Sequence, residues 1–426
     1  MTSASPLDSN FLTTAPRRPG RIVIAFWAAV VVALLVWTHF EIPGWDVRVY
    51  TAAIRSLQAG HDPYADAMAV QQAYHNRRGD LNGEGLPYSY VYSPITLPAL
   101  RLIGKLPLWF SGRMYWLVYI VAALGQLWFA MQFTTGTERR YFVYLAPAAA
   151  FFPGLLQNGT ILSGNIAYLV YFVVFGAALV GWRRGAWIWF YLVVLIASCI
   201  KPPLLSLVVI PVFSARKQWI PAGLTTAAGV GLFAIQPVLW PSLFKNFLKA
   251  VDLQFLYNKD FGCSPAGLFS DALYRMGLHY TPAWLIFYLC YAVPLFALLL
   301  HLSRRYLGGS ITLIQWVPVL LAGVILLNPR ILEYDVAPLT LFLTLIVWRY
   351  FASFTTTAKT ILYLAVLFAL TNGIAGFGWY IRKLVDAPLL VAVFAAGCWT
   401  LWRHCEVEAQ GSTPSVPPAV AHAGMR

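Results

Sequence analysis

Charged residues are scarce in this chain: they make up 11% of 426 residues, with sixteen acids against thirty lysines and arginines. Soluble domains carry about a quarter, so an ordinary soluble fold is excluded. No long polar block interrupts the apolar runs, which leaves nothing to fold as a separate soluble domain. The five cysteines (Cys199, Cys263, Cys290, Cys398, Cys405) are scattered, without disulfide-framework or zinc spacing. A Walker-type loop, a dinucleotide fingerprint and an HExxH helix are all missing, so no cofactor and no metal are expected. Internal repeats and matched broken helices, which many transporters show, are missing too.

What is present is apolar sequence. Hydrophobic residues reach 59%, in runs that recur from Arg21 to Arg403. Each is near the ~20 residues a membrane helix needs. The expectation is an all-α integral membrane protein with roughly a dozen membrane segments. The net charge of +14 does not point to nucleic acid, because basic residues come as pairs at the ends of apolar runs. That is a topology signal.

The positive-inside rule threads the chain. Residues 1–20 form a cytoplasmic tail and 22–40 a retained signal anchor. A first outer loop covers 41–107. Helices follow over 110–133, 141–157, 163–181, 186–200, 202–213 and 219–239. A second outer loop at 240–281 precedes helices at 282–301, 310–327, 336–350, 360–377 and 386–402. The integral domain is 21–405, and 406–426 is a disordered Pro/Ala/Ser-rich tail. Arg139/Arg140, Arg183/Arg184, Arg216/Lys217 and Arg304/Arg305 fall on the inner side, and most acids on the outer. The 92–107 stretch is read as a surface-lying helix.

Polar chemistry concentrates in a few outer segments. Tyr50, Ala53, Ile54 and Leu57 recur at helical spacing opposite Arg48, Thr51 and Arg55. This describes an amphipathic helix on the membrane surface, started at Asp46 and stopped at Gly60. Asp46 is then either an N-cap or a carboxylate held at the bilayer edge as a catalytic base. Lys201 stands in Ile200-Lys201-Pro202-Pro203, between two short apolar segments. There it either snorkels or binds an anion. The segment Asn328-Pro329-Arg330-Ile331-Leu332-Glu333-Tyr334-Asp335 sets a cation beside two carboxylates. Asp335 could cap a helix and Arg330 could pair with Glu333. The alternative is a guanidinium facing a phosphate. Gln157-Asn158-Gly159-Thr160 with Ser163-Gly164-Asn165 reads as a connecting turn that could bond hydroxyls. In Tyr88-Ser89-Tyr90-Val91-Tyr92-Ser93-Pro94 the aromatics form an interfacial belt or a stacking surface for sugar.

Taken in order, these segments resemble the polyprenol-phosphate-sugar-dependent mannosyltransferases of glycosyltransferase family 87. The resemblance rests on Trp45-Asp46 with Tyr50, Gly60-His61-Asp62-Pro63-Tyr64, Tyr90-Val91-Tyr92-Ser93-Pro94, Gly164-Asn165 and Lys201-Pro202 ahead of Arg216-Lys217. It covers the first half of the chain. It implies a GT-C-type bundle in a bacterial plasma membrane, with both termini cytoplasmic. It further implies an inverting transfer from a polyprenyl-phosphate sugar to a glycan or glycolipid on the outer face. Asp46 matches the family's base. Lys201 and Arg330 would hold the donor phosphate, with Tyr50, Tyr92, Asn165, Glu333 and Asp335 as substrate contacts. Where many relatives carry a Trp/His segment, this chain has Glu333-Tyr334-Asp335, so the sugar stays open. The competing readings are a flippase for lipid-linked glycans and a scaffold without catalysis. A flippase needs polar groups along a path through the membrane, and here the acids crowd one side.

Overall fold

The structure, a computed structural model, describes residues 20–40, 44–78, 90–105, 112–151, 163–258, 262–278, 282–375 and 379–411. The described residues are helical and hold no strand. The chain opens with α1 (Arg21–Phe40), α2 (Trp45–Gln58) and α3 (Pro63–Arg78). A 3-10 turn (Pro94–Thr96) leads into α4 (Leu97–Ile103). Then come α5 (Gly112–Met131), α6 (Gly136–Phe151), α7 (Ala167–Arg184) and α8 (Ile188–Ile200). Past Lys201, a 3-10 stretch (Pro202–Val208) continues into α9 (Val209–Ser214). Next are α10 (Trp219–Ala234), α11 (Gln236–Leu239), α12 (Pro241–Asn258), α13 (Pro265–Arg275), α14 (Ala283–Leu307) and α15 (Leu313–Leu326). The chain ends with α16 (Glu333–Val336), α17 (Thr340–Ala352), α18 (Thr357–Ala375) and α19 (Trp379–Gly411).

Among the described residues six stretches are long and apolar enough to cross a membrane: Met114–Met131, Ala167–Arg184, Trp219–Leu239, Ala283–Leu307, Tyr334–Ala352 and Leu384–Arg403. Further apolar helices include Arg21–Val36, Ile188–Ile200 and Leu313–Leu326. The chain is thus a helical, multi-pass membrane protein. It breaks its helices at definite residues. Pro202 removes an N–H and fixes its backbone, and α8 ends two residues before it, at Ile200. The last helix runs to Gly411, into the stretch expected to be a loose tail.

The centre of the bundle is α15 with α17. Residues Trp316 to Leu326 and Thr340 to Trp348 are all buried, against neighbours that include α19. By contrast α10 and α14 leave most of their apolar surface uncovered. A helix apolar on every side belongs in lipid or in a core, and these two lie at the lipid-facing edge. The buried Phe213 carbonyl, near the end of α9, accepts from Trp316 Nε1 at 3.1 Å and Ser303 Oγ at 2.9 Å. Backbone polar groups freed at a helix end need such partners where water is absent.

The segment from α2 to α4 differs from the expected surface-lying helix. The apolar face of α2 is Val47, Tyr50, Ala53, Ile54 and Leu57, and protein buries all five. Tyr50, Ala53 and Leu57 form one core with Tyr64, Tyr90, Leu97, Phe244, Phe247 and Ala250. The amphipathic pattern is real, but α12 and the 90–97 stretch cover it rather than lipid. Arg48 and Arg55 stay exposed. At Gly60 (φ +78°) the chain turns, with Gly60 N–H donating to Leu57 O and His61 N–H to Ser56 O. Asp62 Oδ1 then caps α3 through the Tyr64 amide at 2.9 Å, while its Oδ2 accepts from Asn246 Nδ2 at 2.7 Å. The Gly60–Tyr64 motif is therefore a helix–turn–helix joint latched to α12. The 94–103 stretch contains only a three-residue turn and a seven-residue helix, too short to cross a membrane.

Candidate functional site

Asp46 lies in the first turn of α2, and the N-cap is Gly44, which makes no side-chain cap bond. The expected capping role for Asp46 is therefore overturned. As an acid in a first turn it still complements the helix dipole. Its Oδ2 is enclosed, and its charge acts on Tyr50, Tyr92 and Lys201. Tyr115 and Tyr119 of α5 are also within its electrostatic reach. The Trp45 and Glu333 side chains lie outside the described residues, as do Gln157 to Thr160 and Tyr88-Ser89.

Around Asp46 the tyrosines form a connected wall. Tyr50 and Tyr92 share a hydrogen bond between hydroxyls at 2.8 Å. The Ile166 amide donates to Tyr50 Oη at 3.1 Å, and Tyr64 Oη donates to the Tyr92 carbonyl at 2.6 Å. Burial pushes the Tyr50 and Tyr92 hydroxyls well above the ordinary tyrosine range, and the Asp46 carboxylate adds to that. Both rings are thus neutral hydrogen-bonding groups at any physiological pH. Asn165 is 2% exposed, and its Oδ1 accepts from the Ala167 amide at 2.9 Å. It turns the chain into α7. Gly164 (φ +70°) touches α2 so closely that a Cβ would strike Val47 Cγ2, and Tyr115 donates to its carbonyl. Asn165 thus sits beside the first turn of α2 with its side chain committed to the backbone.

Lys201 is brought to the same place. Its Nζ lies 2.7 Å from Asp335 Oδ1 and 3.9 Å from the centre of the Tyr334 ring. Burial works to pull the ammonium below the ordinary lysine range; Asp335 opposes this, as does Asp46, while Arg330 reinforces it, and the net shift is downward. Four charges from three regions of sequence (46, 201, and 330 with 335) therefore act on one another. Snorkelling does not describe this lysine.

The mounting of the Arg330 segment escaped the sequence reading. The Cys263 amide donates to Ile331 O at 2.7 Å, and Ser264 Oγ donates to Pro329 O at 2.7 Å. Gly262 (φ +89°) sits where a Cβ would fall 2.3 Å from Ile331 O, so only glycine permits the approach. Ser264 also caps α13 through the Gly267 amide. A Gly-x-Ser-Pro stretch before a helix was the available signal. Two further docking contacts were missed: Ser93 Oγ donates to Cys199 O at 3.2 Å, and the Ile95 amide to Gln236 Oε1 at 3.1 Å. Gln236, a polar residue at the end of an apolar run, was the visible hint.

Two apolar cavities flank the charges. One, of about 190 Å³, is lined by Tyr50, Tyr92, Leu100, Tyr115, Leu169 and Ile200. The other, of about 290 Å³, is lined by Cys199, Pro202, Leu205, Gly229, Phe233 and Gln236. The first includes Tyr50 and Tyr92 of the cluster, the second takes in Cys199 and Pro202 on either side of Lys201, and both continue among hydrocarbon side chains. Among the described residues no group of three His, Cys, Asp or Glu side chains could hold a metal ion. The arrangement offers a carboxylate, two cations and neutral tyrosine hydroxyls beside apolar grooves, which suits an amphiphile with an anionic head. No protein-family model, curated protein or solved structure matches the chain.

Proposed function

We propose that this chain is a membrane glycosyltransferase of the family 87 type, with a GT-C-like bundle. It moves a sugar from a polyprenyl-phosphate donor to a glycan or glycolipid at the membrane face that carries Asp46. The observation that carries the reading is the convergence of Asp46, Lys201 and Arg330, from distant parts of the sequence, into one partly buried cluster. In this reading the shorter apolar helices complete the roughly dozen segments, and the cluster faces outward across a bacterial plasma membrane.

Asp46 takes the proton of the acceptor hydroxyl. The acceptor oxygen forms its bond to the anomeric carbon as the bond from that carbon to the phosphate oxygen breaks, with inversion. The electron pair leaves on the phosphate. Negative charge thus moves from Asp46 to the phosphate, and Lys201 and Arg330 stabilise it where it arrives. Total charge in the site does not change during the step, which suits a site of low dielectric. Tyr50 and Tyr92 line the sugar side, and the flanking cavities receive hydrocarbon chains.

The test is to offer the purified protein in lipid a panel of radiolabelled polyprenyl-phosphate sugars. A new glycosidic product supports the proposal. Movement of the lipid between leaflets without a new bond would indicate a flippase instead.

A further inference from the structure

Asp335 is held from two sides within the cluster. It is 4% exposed, and both its oxygens are engaged: Oδ1 with Lys201 Nζ at 2.7 Å, and Oδ2 with the Leu332 amide at 3.2 Å. Each oxygen therefore already has a protein partner, and almost none of the residue is left open to a sugar. The neighbouring Tyr334 places its ring 3.9 Å from the same ammonium. One four-residue helix, α16, therefore supplies both an anion and an aromatic face to one cation. The segment leading into α16 is fastened in turn, through Pro329 O and Ile331 O, to Ser264 and Cys263.

We infer that Asp335 is a positioning residue, which holds the Lys201 ammonium charged and aimed into the cluster without touching the reacting atoms. A lysine has three donor hydrogens. Asp335 takes one and the Tyr334 ring another direction, which leaves capacity for an anionic ligand. The groups that face Lys201 are Asp335 and Tyr334 on α16, Arg330 on the segment before it, and Asp46 on α2. Tyr171 of α7 lies within reach of Asp335 on its other side. Burial and Arg330 both disfavour the ammonium, while Asp335 and Asp46 favour it. Asp335 is the larger support because it alone is in contact. Without it the buried amine loses its proton at lower pH, and a neutral amine cannot stabilise a leaving phosphate. The inference rests on the proposed function only in taking that phosphate as the ligand; the state of Lys201 can be measured independently.

The experiment is competitive acetylation of Lys201 by acetic anhydride as a function of pH, read by mass spectrometry on the purified full chain in lipid. In D335N the midpoint for Lys201 should fall by one pH unit or more, so that it acetylates about tenfold faster at a fixed pH below both midpoints. D335E, which keeps the anion, should stay within about half a unit of the wild type. An unchanged midpoint in D335N overturns the inference. If D335N does not assemble, a full-unit fall in D335E overturns it. Transfer kinetics give a second reading. The alkaline limb of the D335N rate profile should move to lower pH, and the profile of K201R/D335N, whatever its absolute rate, should lack that acid-shifted limb because a guanidinium stays charged. An acid-shifted limb that persists in the double variant overturns the inference. If no donor yields product, the proposed function fails while the acetylation midpoint still decides the role of Asp335.

Discussion

Two buried ion pairs sit at opposite ends of one stretch of chain. Asp335 lies on the turn before α17 and Arg349 near the end of α17, roughly 20 Å apart by helical rise. Their burial is similar: the side chains of Lys201 and Asp335 are 11% and 6% exposed, those of Arg349 and Glu138 16% and 9%. What separates them is donor accounting. Arg349 meets Glu138 through Nε at 2.8 Å and Nη2 at 3.0 Å, and also donates to Phe133 O at 2.7 Å and Ile314 O at 2.9 Å. Four of its five N–H groups are spent tying α17 to α6, α15 and the turn between α5 and α6. Lys201 has one carboxylate contact, one ring, and two further charges near it. A cation whose hydrogens are nearly all spent on protein is a strut. One with hydrogens to spare beside other charges is a place for a ligand.

The largest effect should sharpen this contrast from the Lys201 end. Asp46→Asn should lower transfer by about 10²–10⁴-fold, the usual loss of a general base, with the thermal midpoint unchanged. Substantial remaining activity would remove Asp46 from the mechanism. At the other end Glu138→Gln should cost about 3–5 kcal/mol of stability by leaving a buried arginine without its anion, measurable by thermal or denaturant unfolding in lipid. A variant as stable as the wild type would erase the contrast.

Acid should weaken the strut. Burial works to raise the Glu138 carboxyl, but Arg349 and the Thr135 amide outweigh it and hold the group below the usual glutamate range. A carboxyl with a lowered folded value stabilises fully above its unfolded value, ~4.3. That contribution is lost as pH falls through the folded value. The wild type should therefore lose stability below about pH 4, and Glu138→Gln should be less sensitive there.

Exchanging the cations gives a smaller effect. Arg349→Lys should destabilise by ~1–3 kcal/mol, since an ammonium cannot reproduce a planar fork. Lys201→Arg should leave stability within about 1 kcal/mol while changing the apparent affinity for donor. Smallest of all, Tyr92→Phe removes one hydroxyl bond, worth about 1 kcal/mol, and a much larger loss would place Tyr92 on the substrate.

Much of the Lys201 end was legible because polar residues stand out in an apolar chain. Asp46, Lys201, Arg330 and Asp335 were all visible for that reason. The contacts between them were not, because 134 residues separate Lys201 from Asp335. The apolar face of α2 was legible as a face, but periodicity says only that something covers it. Its actual cover includes Phe244, Phe247 and Ala250, far along the chain and themselves part of an amphipathic run. The pairing of Arg349 was hidden in the same way, since its partner Glu138 lies 211 residues away. The capping role expected for Asp46 failed by two positions, within the usual uncertainty of helix starts.

The same separation sets an order in time. Lys201 leaves the ribosome 134 residues before Asp335, an interval of roughly 7–27 s at the usual pace of synthesis. During that interval the lysine must enter or skirt the bilayer without the anion that later holds it, and a neutral amine is the cheaper form to place there. Only when α16 arrives does the amine gain the carboxylate that contacts it. The cluster is therefore not carried in by its first half; the last third of the chain switches it on.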